Sequence, residues 1–285
     1  MTLAAFLFVL LLGSNAPRVD EWEFIPALLG EEPVWAWIWA PLNEHRMPLP
    51  RFVYYWLFQL THDFRAGMVL QVVLLSALAR GLMTLAAGLR GGPDWVDLFF
   101  PLSLLHFGHW ENIIMSYQLC FVLFCSLVTA MVVVAVRTRR ETVFRSGLLV
   151  SLLLLLAAMT GGAGIILIPP VGAWLVYLAV LLWRSGRTGR AAVLLAPVSL
   201  VAVYLGVYLA LYEKPRDLTP SHDPLAVIMV TGEVLAMAPG VGTSGVWWLV
   251  AAVEGVIGVV SVVLLVRAGG DAAERPAATG LIAAA

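Results

Sequence analysis

The chain is a succession of apolar runs separated by short polar breaks. Runs long enough to cross a bilayer, with few charges inside them, cover about 66–88, 112–136, 163–183, 191–212 and 246–267. Shorter apolar stretches cover about 3–13, 94–108 and 146–160. The pattern predicts an all-α polytopic bundle, since a helix satisfies its own backbone inside lipid. The loop Arg137-Thr-Arg-Arg-Glu-Thr-Val-Phe-Arg145 holds four arginines, and Arg184-Ser-Gly-Arg-Thr-Gly-Arg190 holds three. Basic loops collect on the cytoplasmic side, so an even number of crossings must separate these two. The stretches 146–160 and 163–183, joined by a Gly161-Gly162 turn, supply that number. Extended outward, the same logic gives about eight spans with both termini inside and external loops at 15–65 and 213–245. Residues 1–267 then form one transmembrane domain, and 268–285 reads as a disordered cytoplasmic tail.

Two stretches fit less comfortably. The first run holds only about a dozen apolar residues, roughly 18 Å of helix against about 30 Å of hydrocarbon. It reads as a shortened span or as the apolar region of a signal peptide, although it lacks a basic leader. The stretch 94–108 carries Asp94, Asp97 and Pro101, and a re-entrant path is the alternative to a full crossing. No internal repeat or linker divides the chain.

Composition agrees with the membrane assignment. Hydrophobic residues make up 61% and charged residues 12%, against about 45–50% and about 25% in soluble domains. A net charge of −1 gives no basic balance for nucleic acid. Cys120 and Cys125 lie within one apolar run and point in different directions on a helix, so they read as packing residues.

The polar chemistry gathers in the external loops. The first contains Trp22, Trp35, Trp37, Trp39 and Trp56, which favour the headgroup level and predict helices lying along the interface, with sugar stacking as the other reading. Asp20 and Glu21 fall just beyond the first run. A carboxylate there can act as general base toward a hydroxyl or hold a divalent metal; the plainer reading is a solvated acidic loop. Glu44, His45, Arg46 and Arg51 follow, with Pro48 and Pro50 stiffening the approach to the next helix. Arginine binds phosphate bidentately, and histidine can donate to it or shuttle a proton. His62, Asp63 and Arg65 read as a functional group or as an ion-paired helix start. His106, His109, Glu111 and Asn112 sit at the junction of two runs, as polar lining of a substrate cavity or as a metal site. Asp223 before Pro224 reads as a helix cap. Glu254, inside the last run near Gly255 and Gly258, reads as functional or as a protonated packing residue.

Taken together, the order of features resembles the GT-C superfamily of membrane glycosyltransferases. The shared features are an initial span, an acidic pair just outside it, a large first external loop with interfacial helices, and many spans after it. The stretches Asn43-Glu-His-Arg-Met-Pro-Leu-Pro-Arg51 and Phe99-Phe-Pro…Gly-His-Trp-Glu-Asn112 look like those of bacterial members. The resemblance implies a multi-pass protein of the bacterial inner (cytoplasmic) membrane that moves a sugar from a polyprenyl-phosphate donor to an acceptor on the extracytoplasmic face, with inversion. It implies Asp20 or Glu21 as the base, and Arg46, Arg51 and His45 opposite the leaving phosphate. Glu44, His106, His109 and Glu111 would join them in binding substrate. Some branches need a divalent metal and others do not. Members usually have more spans, so the chain reads as a short or degenerate form, or as a fragment completed by another polypeptide. The rival readings are a non-catalytic scaffold or partner subunit and a transporter for a lipid-linked solute. A transporter should show paired broken helices, and Pro169-Pro170 has no counterpart elsewhere in the chain.

Overall fold

The computed structural model describes residues 1–42, 45–212, 223–236, 245 and 247–268, and it is mostly helical. Glu44, His222, much of the 213–245 loop and the tail from 269 lie outside the described residues. The chain starts with α1 (Thr2–Leu12), whose Ala5 and Val9 are buried. A 3-10 turn at Val19–Phe24 then leads to α2 (Ile25–Leu28) and α3 (Val34–Trp39). Next come a two-residue hairpin, β1 (Pro41–Leu42) with β2 (His45–Arg46), and α4 (Pro48–Thr61). These pieces pack around Phe24, whose ring lies 5.2 Å from Trp37, 5.0 Å from Tyr54 and, at the start of a later helix, 4.9 Å from Tyr117. Trp37 is buried here, while Trp22, Trp35, Trp39 and Trp56 stay exposed.

At the start of α5 (Arg65–Arg90), Arg65 pairs with Asp63 at 2.7 Å, so this group is an ion-paired helix start. The helix ends at Gly91, which takes the left-handed conformation that a C-terminal glycine tolerates. The return along α5 is broken. A 3-10 turn at Trp95–Leu98, capped by Asp94, precedes α6 (Phe99–Leu104); an extended His106 and a turn at Phe107–His109 precede α7 (Trp110–Ile113). Asp97 pairs with Arg90 at the far end of α5, and Ser116 meets Gly67 at its start. The stretch 94–108 is therefore not one continuous helix. It belongs to a segmented path, longer than expected, that runs back beside α5.

A tighter bundle follows. It consists of α8 (Leu119–Val136), α9 (Val143–Ala158), α10 (Gly162–Ile166), α11 (Ile168–Arg184) and α12 (Thr188–Ala210). Leu154, Leu175, Leu178 and Leu194 are fully buried at its centre. Pro169 and Pro170 occupy the first turn of α11, where a missing N–H costs nothing, so the 163–183 run divides into α10 and α11. The two arginine-rich turns lie at the same end of this bundle, where the Arg190 guanidinium sits 5.5 Å over the Phe144 ring. Finally, α13 (Pro224–Ala236) packs against α14 (Trp247–Ala268), and Asp223 caps α13 by accepting from the Leu225 N–H at 2.9 Å.

Among the described residues three helices are long and apolar enough to cross a membrane: Arg65–Arg90, Ser116–Val136 and Thr188–Ala210. Four further apolar helices, α1, α9, α11 and α13, are shorter. Eight continuous full-length spans are thus not what the described residues contain.

Candidate functional site

A cavity of about 290 Å³ opens at the end of the bundle opposite the arginine turns. Asp20 and His45 both line it, with Tyr117, Gln118 and the Thr160–Gly162 turn around them. Phe121 and Phe124 extend one wall along α8, and Phe121 is 62% exposed. The cavity therefore has a polar end beside the first loop and an apolar side open to the outside of the bundle.

Local chain geometry sets Asp20 in place. Val19, just before it, has a φ of 46°, which is strained for a β-branched residue. Glu21, just after it, is 0% exposed. Its two oxygens accept from the Arg18 N–H at 2.9 Å and the Tyr117 N–H at 2.8 Å. Burial raises the Glu21 pKa above its ordinary value, while those N–H donors and the Arg18 charge pull it the other way. Tyr117 lies in the first turn of the Ser116–Val136 helix, whose N–H groups lack helical partners. Glu21 thus pins the loop to the start of that helix, and the neighbouring Asp20 is left half-buried at the cavity.

His45 and Arg46 separate for a simple reason. Successive residues on a strand face opposite sides. His45 turns to the cavity, where a Cβ on Gly162 would come within 3.0 Å of its imidazole. Arg46 turns away and donates to the Trp39 carbonyl at 2.8 Å and the Leu211 carbonyl at 3.3 Å. Arg51 is only 3% exposed and donates to the Trp37 carbonyl and, at 2.9 Å, to the Ala40 carbonyl. It thereby satisfies the C-terminal end of α3, with its guanidinium 5.1 Å from the Trp37 ring centre. Burial lowers its pKa, against the opposing influence of Tyr117, Glu23 and Glu32.

The histidines of the broken run lie elsewhere. His109 lines a second cavity, about 280 Å³, with Gln71, Asn112 and Gln118. Gln118 and Phe121 belong to the walls of both cavities. The His106 ring centre is 4.2 Å from that of His109, and its Nδ1 accepts from the Gly108 N–H at 3.0 Å. Glu111 is exposed. The anticipated set therefore does not converge as a whole. Asp20 and His45 share one cavity, Glu21 and Arg51 support it from within the fold, and Arg46, His106, His109 and Glu111 face other spaces.

Among the described residues no group of three or more His, Cys, Asp or Glu side chains could hold a metal ion. Asp20 and His45 offer such an ion two protein ligands, fewer than a metal centre ordinarily uses. Residues that sequence reasoning passed over include Tyr117, Gln118 and Thr160. The available signals were a glutamine opening an apolar run and the paired glycines that follow Thr160. Comparison with protein-family models, with curated proteins and with solved structures finds no match for this chain.

Proposed function

We propose that the chain is a membrane glycosyltransferase of the GT-C type, with about eight crossings and both termini cytoplasmic. It would move a sugar from a polyprenyl-phosphate donor to an acceptor hydroxyl at the extracytoplasmic face. The observation that carries this reading is the meeting of Asp20 and His45, from separate parts of the first loop, in one cavity with an apolar open side. A lipid-linked donor needs such a shape: polar groups for the sugar and phosphate, and an exit toward lipid for the chain.

In this reading Asp20 takes the proton of the acceptor hydroxyl as its oxygen attacks the anomeric carbon. The new C–O bond forms as the bond to the phosphate oxygen breaks, and the electron pair leaves with the polyprenyl phosphate. His45 donates to that phosphate as its charge develops. Glu21 and Arg51 act as positioning residues. Arg46 turns to backbone carbonyls and has no part in the step.

The dispersal of Arg46, His109 and Glu111 favours one rival, a scaffold that keeps the architecture without turnover. Reconstitution with radiolabelled polyprenyl-phosphate sugars separates the two. Transfer is expected, and Asp20→Asn should lower it by about 100-fold or more, the usual contribution of a positioned base. Asp20→Asn with undiminished transfer would remove the proposed base. A wild-type protein inert toward every donor would support the scaffold.

A further inference from the structure

Far from the candidate site, the second half of α5 and the broken run beside it enclose a crevice of about 610 Å³. Its lining includes Thr2, Ser76, Arg80, Thr84, Asp97 and Pro101. Since α5 has the length and hydropathy of a crossing helix, Arg80 lies well inside it, roughly 15 Å along the axis from Arg90. A guanidinium at such a depth is costly unless it meets an anion or water.

The protein itself supplies no such anion here. Asp97 is the one carboxylate that lines the crevice among the described residues, and it is already engaged. Both of its oxygens accept from Arg90 Nη2 at 2.7 Å, and one accepts from the Asp94 N–H at 3.0 Å. Arg80 has no side-chain hydrogen bond or ion pair among the described residues. One turn earlier, Ser76 Oγ accepts from the Thr2 hydroxyl at 2.9 Å, and its own proton has no acceptor among the described residues. An unmatched cation and a spare hydroxyl therefore line one space.

We propose that this crevice binds the phosphate of a membrane lipid, gripped by Arg80 and Ser76, with the lipid chains lying along the outer flank of α5. The wall decides for a lipid over a free anion. Met83, Ala87, Pro101 and Leu105, which line the crevice with Arg80, are apolar. Either phosphate is desolvated on reaching Arg80, but only one carrying hydrocarbon chains gains apolar contact with such a wall to offset that cost. The site is distinct from the Asp20 cavity and does not depend on glycosyl transfer.

Native mass spectrometry of the purified full chain tests this with four probes: phosphatidylglycerol, a polyprenyl monophosphate, phosphatidylcholine and inorganic phosphate. The wild type should retain an anionic lipid in preference to phosphatidylcholine, and inorganic phosphate should not compete. Whichever of the two anionic lipids binds tighter identifies the source of the phosphate. Arg80→Gln should weaken that binding by about tenfold or more, Ser76→Ala less, and Arg139→Gln not at all. Because Arg80 is exposed, the Gln variant should keep the wild-type unfolding temperature. Equal lipid retention by wild type and Arg80→Gln overturns the proposal, as does equal binding of phosphatidylcholine. Loss of a bound polypeptide instead of a lipid from Arg80→Gln would overturn it as well, and would assign the crevice to a partner helix.

Discussion

Asp20 and Glu21 are neighbours of the same chemistry in opposite surroundings. One is half-buried at a cavity; the other is sealed inside and held by two backbone N–H groups. The acidic pair is legible in the sequence, but its division of labour is not. That division depends on a strained Val19 and on a helix start almost a hundred residues later, neither visible locally. Glu21 carries a pH signature. Burial raises its folded pKa above the ordinary 4.5. Such a carboxyl contributes most stability below its unfolded pKa and loses that contribution as pH rises through the folded one. The unfolding temperature should therefore fall as pH climbs above 4.5, and Glu21→Gln, which has no charge to bury, should flatten that part of the curve. Glu21→Ala should instead destabilise at every pH, by about 1–3 kcal/mol for each N–H left unpaired. An identical pH slope in wild type and Glu21→Gln would mean that its carboxyl is solvated in the fold.

At the scale of elements, the hairpin and the 159–162 turn matter most. The Leu49 N–H donates to the Met159 carbonyl at 3.1 Å, bringing the chain just after the hairpin against the turn between α9 and α10. Gly161 has a φ of 133°, and a Cβ on Gly162 would press on His45. Read from the sequence, these glycines mark a turn and nothing more, because their contact with the first loop is more than a hundred residues away. Gly162→Ala should displace the imidazole and lower transfer while leaving Asp20 untouched. Gly161→Ala should cost about 1–3 kcal/mol in backbone strain, read as a lower unfolding temperature. If Gly162→Ala keeps full transfer, His45 does not act from its observed position. The broken run beside α5 carries the same lesson about local signals. Apolar content across 94–108 reads as a span, yet the side chains of Asp94 and His106 cap their own short turns and divide the helix into pieces.

For the whole molecule the decisive question is which end faces the cytoplasm. The seven arginines of 137–145 and 184–190 all belong to one end of the bundle and are all exposed. The sequence already allowed their shared side, since an even number of apolar runs separates the two loops. It does not allow the lengths of those runs to be read as continuous helices. At 16 and 17 residues, α9 and α11 extend roughly 24–26 Å against about 30 Å of hydrocarbon. If both cross as proposed, the surrounding bilayer thins or the polar turns at either end sink toward the hydrocarbon, at a cost of fractions of a kcal/mol per Å. Either response is compatible with the proposed orientation, which puts the arginine end on the side that favours basic loops. Cysteines introduced singly into a Cys120→Ala, Cys125→Ala background test this orientation. Glu31→Cys should react with an impermeant maleimide in intact cells. Arg139→Cys and Ser185→Cys should react only after permeabilisation. Labelling of Glu31→Cys and Arg139→Cys from the same side would break the proposed eight-crossing path, which puts three crossings (α5, the broken run and α8) between those positions. The Asp20 cavity would then lose its assignment to the outer face, and with it the reason to seek its donor among lipid-linked sugars.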